Sequence, residues 1–260
     1  MSSPEAVSQT PFDDGDLYDI LLGDLEYGRD FYIDLARRAG GPVLDIGCGT
    51  GRVLLPCLQA EVDIDGLDLF EPMLARLRQS AAKLGLSPRL YQADMSDFRT
   101  PRRYSLIMIP FNAFTHVVEQ DSQIRCLECC REHLLPGGML AFDAAFPGMQ
   151  WIGAPQGSRV LEEEKTDPRT GRTLRIFDTR SFDRVRQIQH SITEVESIGP
   201  DGAIELLQRS EYDMRWVYKE EMALLLRQAG FARWEISGDF AGRPLTQETD
   251  GMVVRAWAAS

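Results

Sequence analysis

The 260-residue chain has no apolar run near the ~18 residues that a bilayer-spanning helix needs, so no such helix is expected. It is short of positive charge: 28 Lys and Arg stand against 40 Asp and Glu, leaving a formal net charge of −12. DNA and RNA backbones need a cationic surface, so nucleic acid is not an expected partner. The opening Met1-Ser-Ser-Pro-Glu-Ala6 has neither the basic region nor the apolar core of a secretory signal, and a cytoplasmic location is the expectation. The five cysteines, Cys48, Cys57, Cys126, Cys129 and Cys130, are an odd number in such a compartment and argue against a disulfide framework. Cys126, Cys129, Cys130 and His133 recur at helical spacing on one face. Spread over roughly 10 Å of one helix, they cannot converge on a tetrahedral ion, so a buried stripe and no metal are expected.

A dinucleotide fingerprint is also missing. G-x-G-x-x-G needs a third glycine where this chain has Arg52. What stands there is Val43-Leu-Asp-Ile-Gly-Cys-Gly-Thr-Gly-Arg52, an apolar strand ending in an acid, followed by Gly47, Gly49 and Gly51 at every second position. Glycine lets backbone pass under a ligand where a Cβ would collide. Asp68 closes the next strand, where a carboxylate can accept from both hydroxyls of a ribose. Together they point to a nucleoside cofactor.

The length suits one α/β unit with an insertion. Residues 1–12 are polar and expected to be disordered. Residues 13–39 have amphipathic helical spacing, broken near Gly23 and Gly28. Strands at 43–46, 63–68, 88–92, 104–109 and 139–143 alternate with helices at 52–59, 72–84 and 121–134, with Pro56 held to a first turn or a kink. That alternation predicts a doubly wound, mainly parallel sheet with ligands beyond its carboxyl ends. Residues 150–218 have β character at 159–164, 173–180, 185–198 and 204–217, separated by Pro168-Arg-Thr-Gly171 and Gly199-Pro-Asp-Gly202. They read as an antiparallel insertion serving as substrate platform or homodimer surface. Arg175, Arg180, His190, Tyr212, Arg215 and Trp216 are its candidates to face a pocket. A helix at 219–229 and strands at 232–237 and 252–258 complete the pattern, and the linker 238–243 could reach a substrate mouth. The expected organisation is a helical lid over 1–40, a nucleoside-binding core over 41–149, the insertion over 150–218 and the end of the core over 219–260.

The motif from Asp45 to Gly51 resembles motif I of the class I S-adenosylmethionine-dependent methyltransferases, D/E-x-G-x-G-x-G. The likeness continues in order through Gly66-Leu-Asp-Leu-Phe-Glu-Pro-Met-Leu74, Gln92-Ala-Asp-Met95, the strand Tyr104-Ser-Leu-Ile-Met-Ile-Pro-Phe-Asn112 and Leu135-Pro-Gly-Gly-Met-Leu140. It covers roughly 40–145 and implies a seven-stranded sheet whose last two strands form a reversed hairpin. The implied cofactor is S-adenosylmethionine, with S-adenosylhomocysteine as product. By resemblance the glycine loop (Gly47, Cys48, Gly49, Gly51, Arg52) holds the methionine end, with Asp45 toward its ammonium. Asp68 takes the ribose, Leu69 and Met95 sandwich the adenine, Asp94 accepts from its amino group, and Met73 and Pro110 line the site. Tyr18 resembles the lid tyrosine of small-molecule methyltransferases. His116, just past the fourth strand, can orient or deprotonate a substrate. Asn112, Tyr212 and Arg215 are the substrate-binding candidates. The chain has no Asn/Asp-Pro-Pro-Tyr/Phe run, which many enzymes modifying base amino groups carry; it reads Ile109-Pro-Phe-Asn112. The leading expectation is methyl transfer to an amine, or a hydroxyl, of a small molecule, resembling bacterial small-molecule N-methyltransferases. A non-catalytic cofactor-binding subunit and a protein or RNA methyltransferase are the alternatives.

Overall fold

Val43–Ile46 (β1) is apolar except for Asp45 and buried throughout, as a strand flanked on both sides and covered on both faces must be. The computed structural model describes residues 10–248 and 250–259. Gly15–Leu22 (α1) and Arg29–Arg38 (α2) precede β1, and the helical pattern is interrupted between Gly23 and Gly28 as the glycines predict. Then follow Leu54–Gln59 (α3), Ile64–Asp68 (β2), Glu71–Lys83 (α4), Arg89–Gln92 (β3) and Tyr104–Ile109 (β4). Gln120–His133 (α5), Leu134–Ala144 (β5) and the short Met149–Ile152 (α6) lead into the insertion. The insertion is Arg159–Thr166 (β6), Thr173–Asp183 (β7), Ile188–Ile198 (β8) and Ile204–Arg215 (β9). Lys219–Gln228 (α7), Arg233–Ser237 (β10) and Met252–Trp257 (β11) close the chain. Pro56 lies in the first turn of α3, where its missing N–H costs nothing.

The first sheet has seven strands in the order β10-β11-β5-β4-β1-β2-β3, with β11 antiparallel to both β5 and β10. Strand order reverses between β1 and β4, so their carboxyl ends splay apart at the crevice where such sheets bind ligands. The core lies on both faces of this sheet. One side joins Leu44, Ile46, Phe114 and Phe142 to α5 and α7; the other joins Val43, Leu54, Leu74 and Leu106 to α2, α3 and α4. Cys126, Cys129 and Cys130 are buried in the first of these, and His133 Nδ1 donates to Cys129 O at 2.8 Å.

The second sheet, β6-β7-β8-β9, is antiparallel throughout. Leu17 of α1 packs on its Leu174 and Val195, so the N-terminal helix is held between the two sheets. Arg76 of α4 pairs with Asp16 at 3.0 Å and Asp19 at 2.8 Å on the other side of α1.

Several boundaries move. The expected strand at 185–198 loses its first residues to a turn in which Gln187 has φ 62° and Asp183 accepts from the N–H groups of Val185 and Arg186. No glycine or proline marks it. Strand β5 starts at Leu134, earlier than expected, because Leu134 pairs with Tyr104 before the irregular Pro136-Gly137-Gly138 stretch. Residues 10–12 are not disordered: the Phe12 ring lies 4.8 Å from Phe70 and 5.5 Å from His116. Burial of an aromatic ring is the reason. Residues 1–9 fall outside the described residues.

Candidate active site

The ends of β1, β2 and β4 open onto a cavity of about 700 Å³, roofed by the inner face of the insertion and closed at one end by Phe12, Tyr18, Leu21 and Leu22. The glycine loop forms its floor. Gly49 has φ 53°, and a Cβ built there meets nothing closer than 4.0 Å, so the space over it is open. Gly51 has φ 100°, but its Cβ would lie 2.3 Å from Leu77 Cδ1. One glycine leaves room for a ligand and the other for the packing of α4.

Asp45 is 1% exposed, and its Oδ1 has no hydrogen-bond partner among the described residues. Burial pushes its carboxyl up to about 7, against the pull of Arg52. A buried oxygen with no donor is costly unless a ligand supplies one. Asp68, at the tip of β2, accepts from Gly49 N at 2.8 Å through Oδ2 and from Phe70 N at 2.9 Å through Oδ1. Burial raises its pKa while those two N–H groups lower it. Asp94 is exposed, and its Oδ1 accepts from both the N–H and hydroxyl of Ser96. Cys48, Leu69, Met73, Met95 and Pro110 line the cavity as well.

Beyond β4 the chain turns through Phe111 (φ 60°) and Asn112 (φ 55°), two consecutive left-handed residues that are not glycine. Asp143 on β5 holds them: it accepts from Phe111 N and Asn112 N, each at 2.8 Å, and from the Tyr32 hydroxyl at 2.5 Å. This buried acid was not among the expected site residues; its one sequence signal is a carboxylate inside an otherwise apolar strand. The turn leads into a 3₁₀ segment, Ala113–His116, which aims His116 into the cavity. The imidazole sits against Phe12 and, at 5.7 Å, the Tyr212 ring. Burial pushes its pKa down to about 4, so it is neutral at pH 7. Burial also lifts the Tyr18 phenol to about 12.

Arg52 points away from the glycine loop to the lid, donating to Leu25 O at 3.0 Å and Tyr27 O at 3.1 Å, with its guanidinium 4.4 Å from the Phe111 ring centre. Asn112, Tyr212 and Arg180 line the cavity. Arg215 does not: one residue out of phase with Met214, it turns to Glu221 of α7 at 2.9 Å. Arg175 pairs with Glu164, His190 with Asp213, and Trp216 packs on Trp151 and Phe182. The linker 238–243 does not reach the mouth either; its Phe240 packs on Tyr27 and Phe31 instead.

Comparison with known proteins agrees with this geometry. Residues 43–138 match the family described as a methyltransferase domain. The cypemycin N-terminal methyltransferase of a Streptomyces species is 27% identical over 257 residues, covering 98% of each chain. The dTDP-3-amino-3,4,6-trideoxy-alpha-D-glucopyranose N,N-dimethyltransferase of Streptomyces venezuelae is 29% identical over 173 residues, 63% of this chain and 70% of its own. Among solved structures, the CcbJ methyltransferase of Streptomyces caelestis is 26% identical and superposes with a TM-score of 0.74 over 97% of this chain and 99% of its own. A glycine loop at the β1–β4 crevice, an acid at the tip of β2 and a reversed β10–β11 hairpin thus agree with the methyltransferase domain that residues 43–138 match and with the methyltransferases to which the chain is similar along its length, and the enzyme is an S-adenosylmethionine-dependent methyltransferase.

Proposed function

We propose that this enzyme methylates the nitrogen of a small-molecule amine. The charge of the cavity carries the reading: among the described residues seven carboxyl groups line it, against the guanidinium groups of Arg52 and Arg180. A sulfonium cofactor and an amine that arrives protonated are both cations, and an acidic cleft concentrates both. The full-length relative is named for an amino terminus and the partial one for an amino sugar, which supports nitrogen over oxygen.

The residues present fit S-adenosylmethionine. The orphaned Asp45 oxygen takes the ammonium of its methionine end, and the open space above Gly49 admits its main chain. Each Asp68 oxygen accepts one backbone N–H and keeps a lone pair for a ribose hydroxyl. Asp94 has an oxygen left that would take the adenine amino group, and Leu69 and Met95 would supply apolar contacts to the ring. When bound, the cofactor supplies a methyl group on a positively charged sulfur, open to in-line displacement.

The chain's own residues orient the acceptor and exclude water. The ammonium gives up a proton to solvent before it reacts; His116, neutral at physiological pH, then accepts an N–H of the free amine and aims its lone pair, and at a pKa near 4 the imidazole does not hold that proton. Tyr18 keeps its phenolic proton and covers the mouth. Asn112, whose Oδ1 has no partner among the described residues, and Tyr212 contact the acceptor. Residues 1–40 serve as the lid, and the enzyme works in the cytoplasm, with the insertion as the surface for a homodimer.

The test is transfer of an isotopically labelled methyl to matched amines and alcohols, followed by mass spectrometry. Label on amines alone is expected. Transfer to alcohols at equal rate sinks the nitrogen assignment.

A further inference from the structure

The inner face of the insertion is unusually polar for a surface turned toward the protein. Across the ladder Asp178 of β7 pairs with Thr193 of β8, which pairs with Ser210 of β9, so the three side chains form one row. Asp178 is 6% exposed, Ser210 fully buried, and Gln189 on the same face of β8 2% exposed. Nine buried side-chain polar atoms have no partner among the described residues, and three are here: Asp178 Oδ1, Gln189 Oε1 and Ser210 Oγ. Asp178 Oδ2 is engaged, accepting from Arg180 Nε at 2.6 Å, and Arg180 also pairs with Glu162 at 3.1 Å. One oxygen of a buried, arginine-held carboxylate is thus left without a donor beside the cavity that Asp178, Arg180, Thr193 and Gln208 line. Burial raises the Asp178 pKa, against the pull of Arg180.

Two strands and two residues separate Asp178 from Tyr212, the residue that touches His116. At sheet spacings the two α-carbons lie about 12 Å apart. We infer that this row is an acceptor subsite in which Asp178 Oδ1 takes a hydrogen bond from a donor on the acceptor, a hydroxyl or a second amine, on the order of 10 Å from the nitrogen that is methylated. The acceptor is then an extended molecule with a donor at its far end. This rests on the amine-acceptor reading above and specifies what lies beyond the amine.

The test uses the full chain saturated with S-adenosylhomocysteine. Hexylamine, aminohexanol and diaminohexane are titrated by calorimetry into wild type and Asp178→Asn. In the variant the amide oxygen is claimed by Arg180, and the NH₂ group stands where the free acceptor was. Wild type should bind one or both of the two donor-bearing amines about tenfold more tightly than hexylamine, and the variant should lose that preference while keeping its affinity for S-adenosylhomocysteine. Comparing aminohexanol with diaminohexane tells a hydroxyl from an ammonium. No preference in the wild type, absence of binding included, overturns the subsite, as does a preference that survives in the variant. Methyl transfer is followed in parallel: if no amine is methylated while the preference holds, the amine-acceptor reading fails and the subsite stands.

Discussion

The main-chain N–H of Asn112 donates to Asp143 Oδ2 at 2.8 Å, and through that bond a strand holds the mouth of the neighbouring strand in shape. Phe111 and Asn112 are both left-handed, a conformation costing about 1–3 kcal/mol per residue unless the surroundings impose it. Asp143 imposes it with both oxygens while buried among apolar neighbours.

Asp143→Asn should therefore destabilise the fold by about 2–4 kcal/mol, since one of two buried N–H groups loses its acceptor. Urea unfolding measures this. A loss below about 0.5 kcal/mol, within the range of ordinary surface substitutions, would show that the turn holds itself.

Cofactor binding should depend on pH through Asp45. With its carboxyl pushed up to about 7, the free protein is largely protonated there below neutrality, whereas an ammonium partner favours the ionised form. Binding then releases a proton, and affinity for S-adenosylhomocysteine should fall by up to about tenfold per pH unit as pH drops below 7. Calorimetry in buffers of different ionisation enthalpy would register the proton. Asp45→Asn should bind weakly and lose this slope; a wild-type affinity constant from pH 8 to 5.5 contradicts the role.

Gly49→Ala and Gly51→Ala should fail differently. At Gly49 the added methyl enters open space, so stability should fall only by the ~1–2 kcal/mol of a left-handed alanine while cofactor binding collapses. At Gly51 the methyl collides with Leu77 and Leu55, so stability should fall by about 3 kcal/mol or more. Thermal melts beside S-adenosylhomocysteine titrations separate the two; equal loss of stability in both variants removes the distinction.

His116→Phe should lower kcat by about 10²-fold if the ring orients the amine, with S-adenosylhomocysteine affinity within threefold of wild type. Because burial holds its pKa near 4, the imidazole should add no inflection to the pH–rate profile between 8 and 5. Unfolded histidine binds a proton from about 6.5 downward, the folded one only near 4, so any stability that His116 contributes should fade as pH drops across that window. A profile whose acid limb near 6.5 vanishes in the variant would instead make His116 the base.

Most of the core was legible in the sequence, because β1 and β4 are short and mainly apolar and the acids and glycines around them have few other uses. The turn at 184–187 was not, because its left-handed residue is Gln187 and a side chain, Asp183, does the work of a glycine. Arg215 was misplaced for a simpler reason: on a strand, one residue of phase turns a side chain to the opposite face, and only the register with β8 sets that phase. Asp143 and Asp178 escaped notice because what singles them out is what they face across space.

The cavity draws its floor from one sheet and its roof from another, and the roof is a single continuous stretch of chain. On the proposed reading, the cofactor lies on the floor and the far end of the acceptor against the roof, two parts that can drift independently in evolution. Substitutions on four strands can retarget the enzyme while the glycine loop stays as it is. Descendants of one ancestral scaffold can in this way serve unrelated acceptors, and among such chains the roof should diverge faster than the floor.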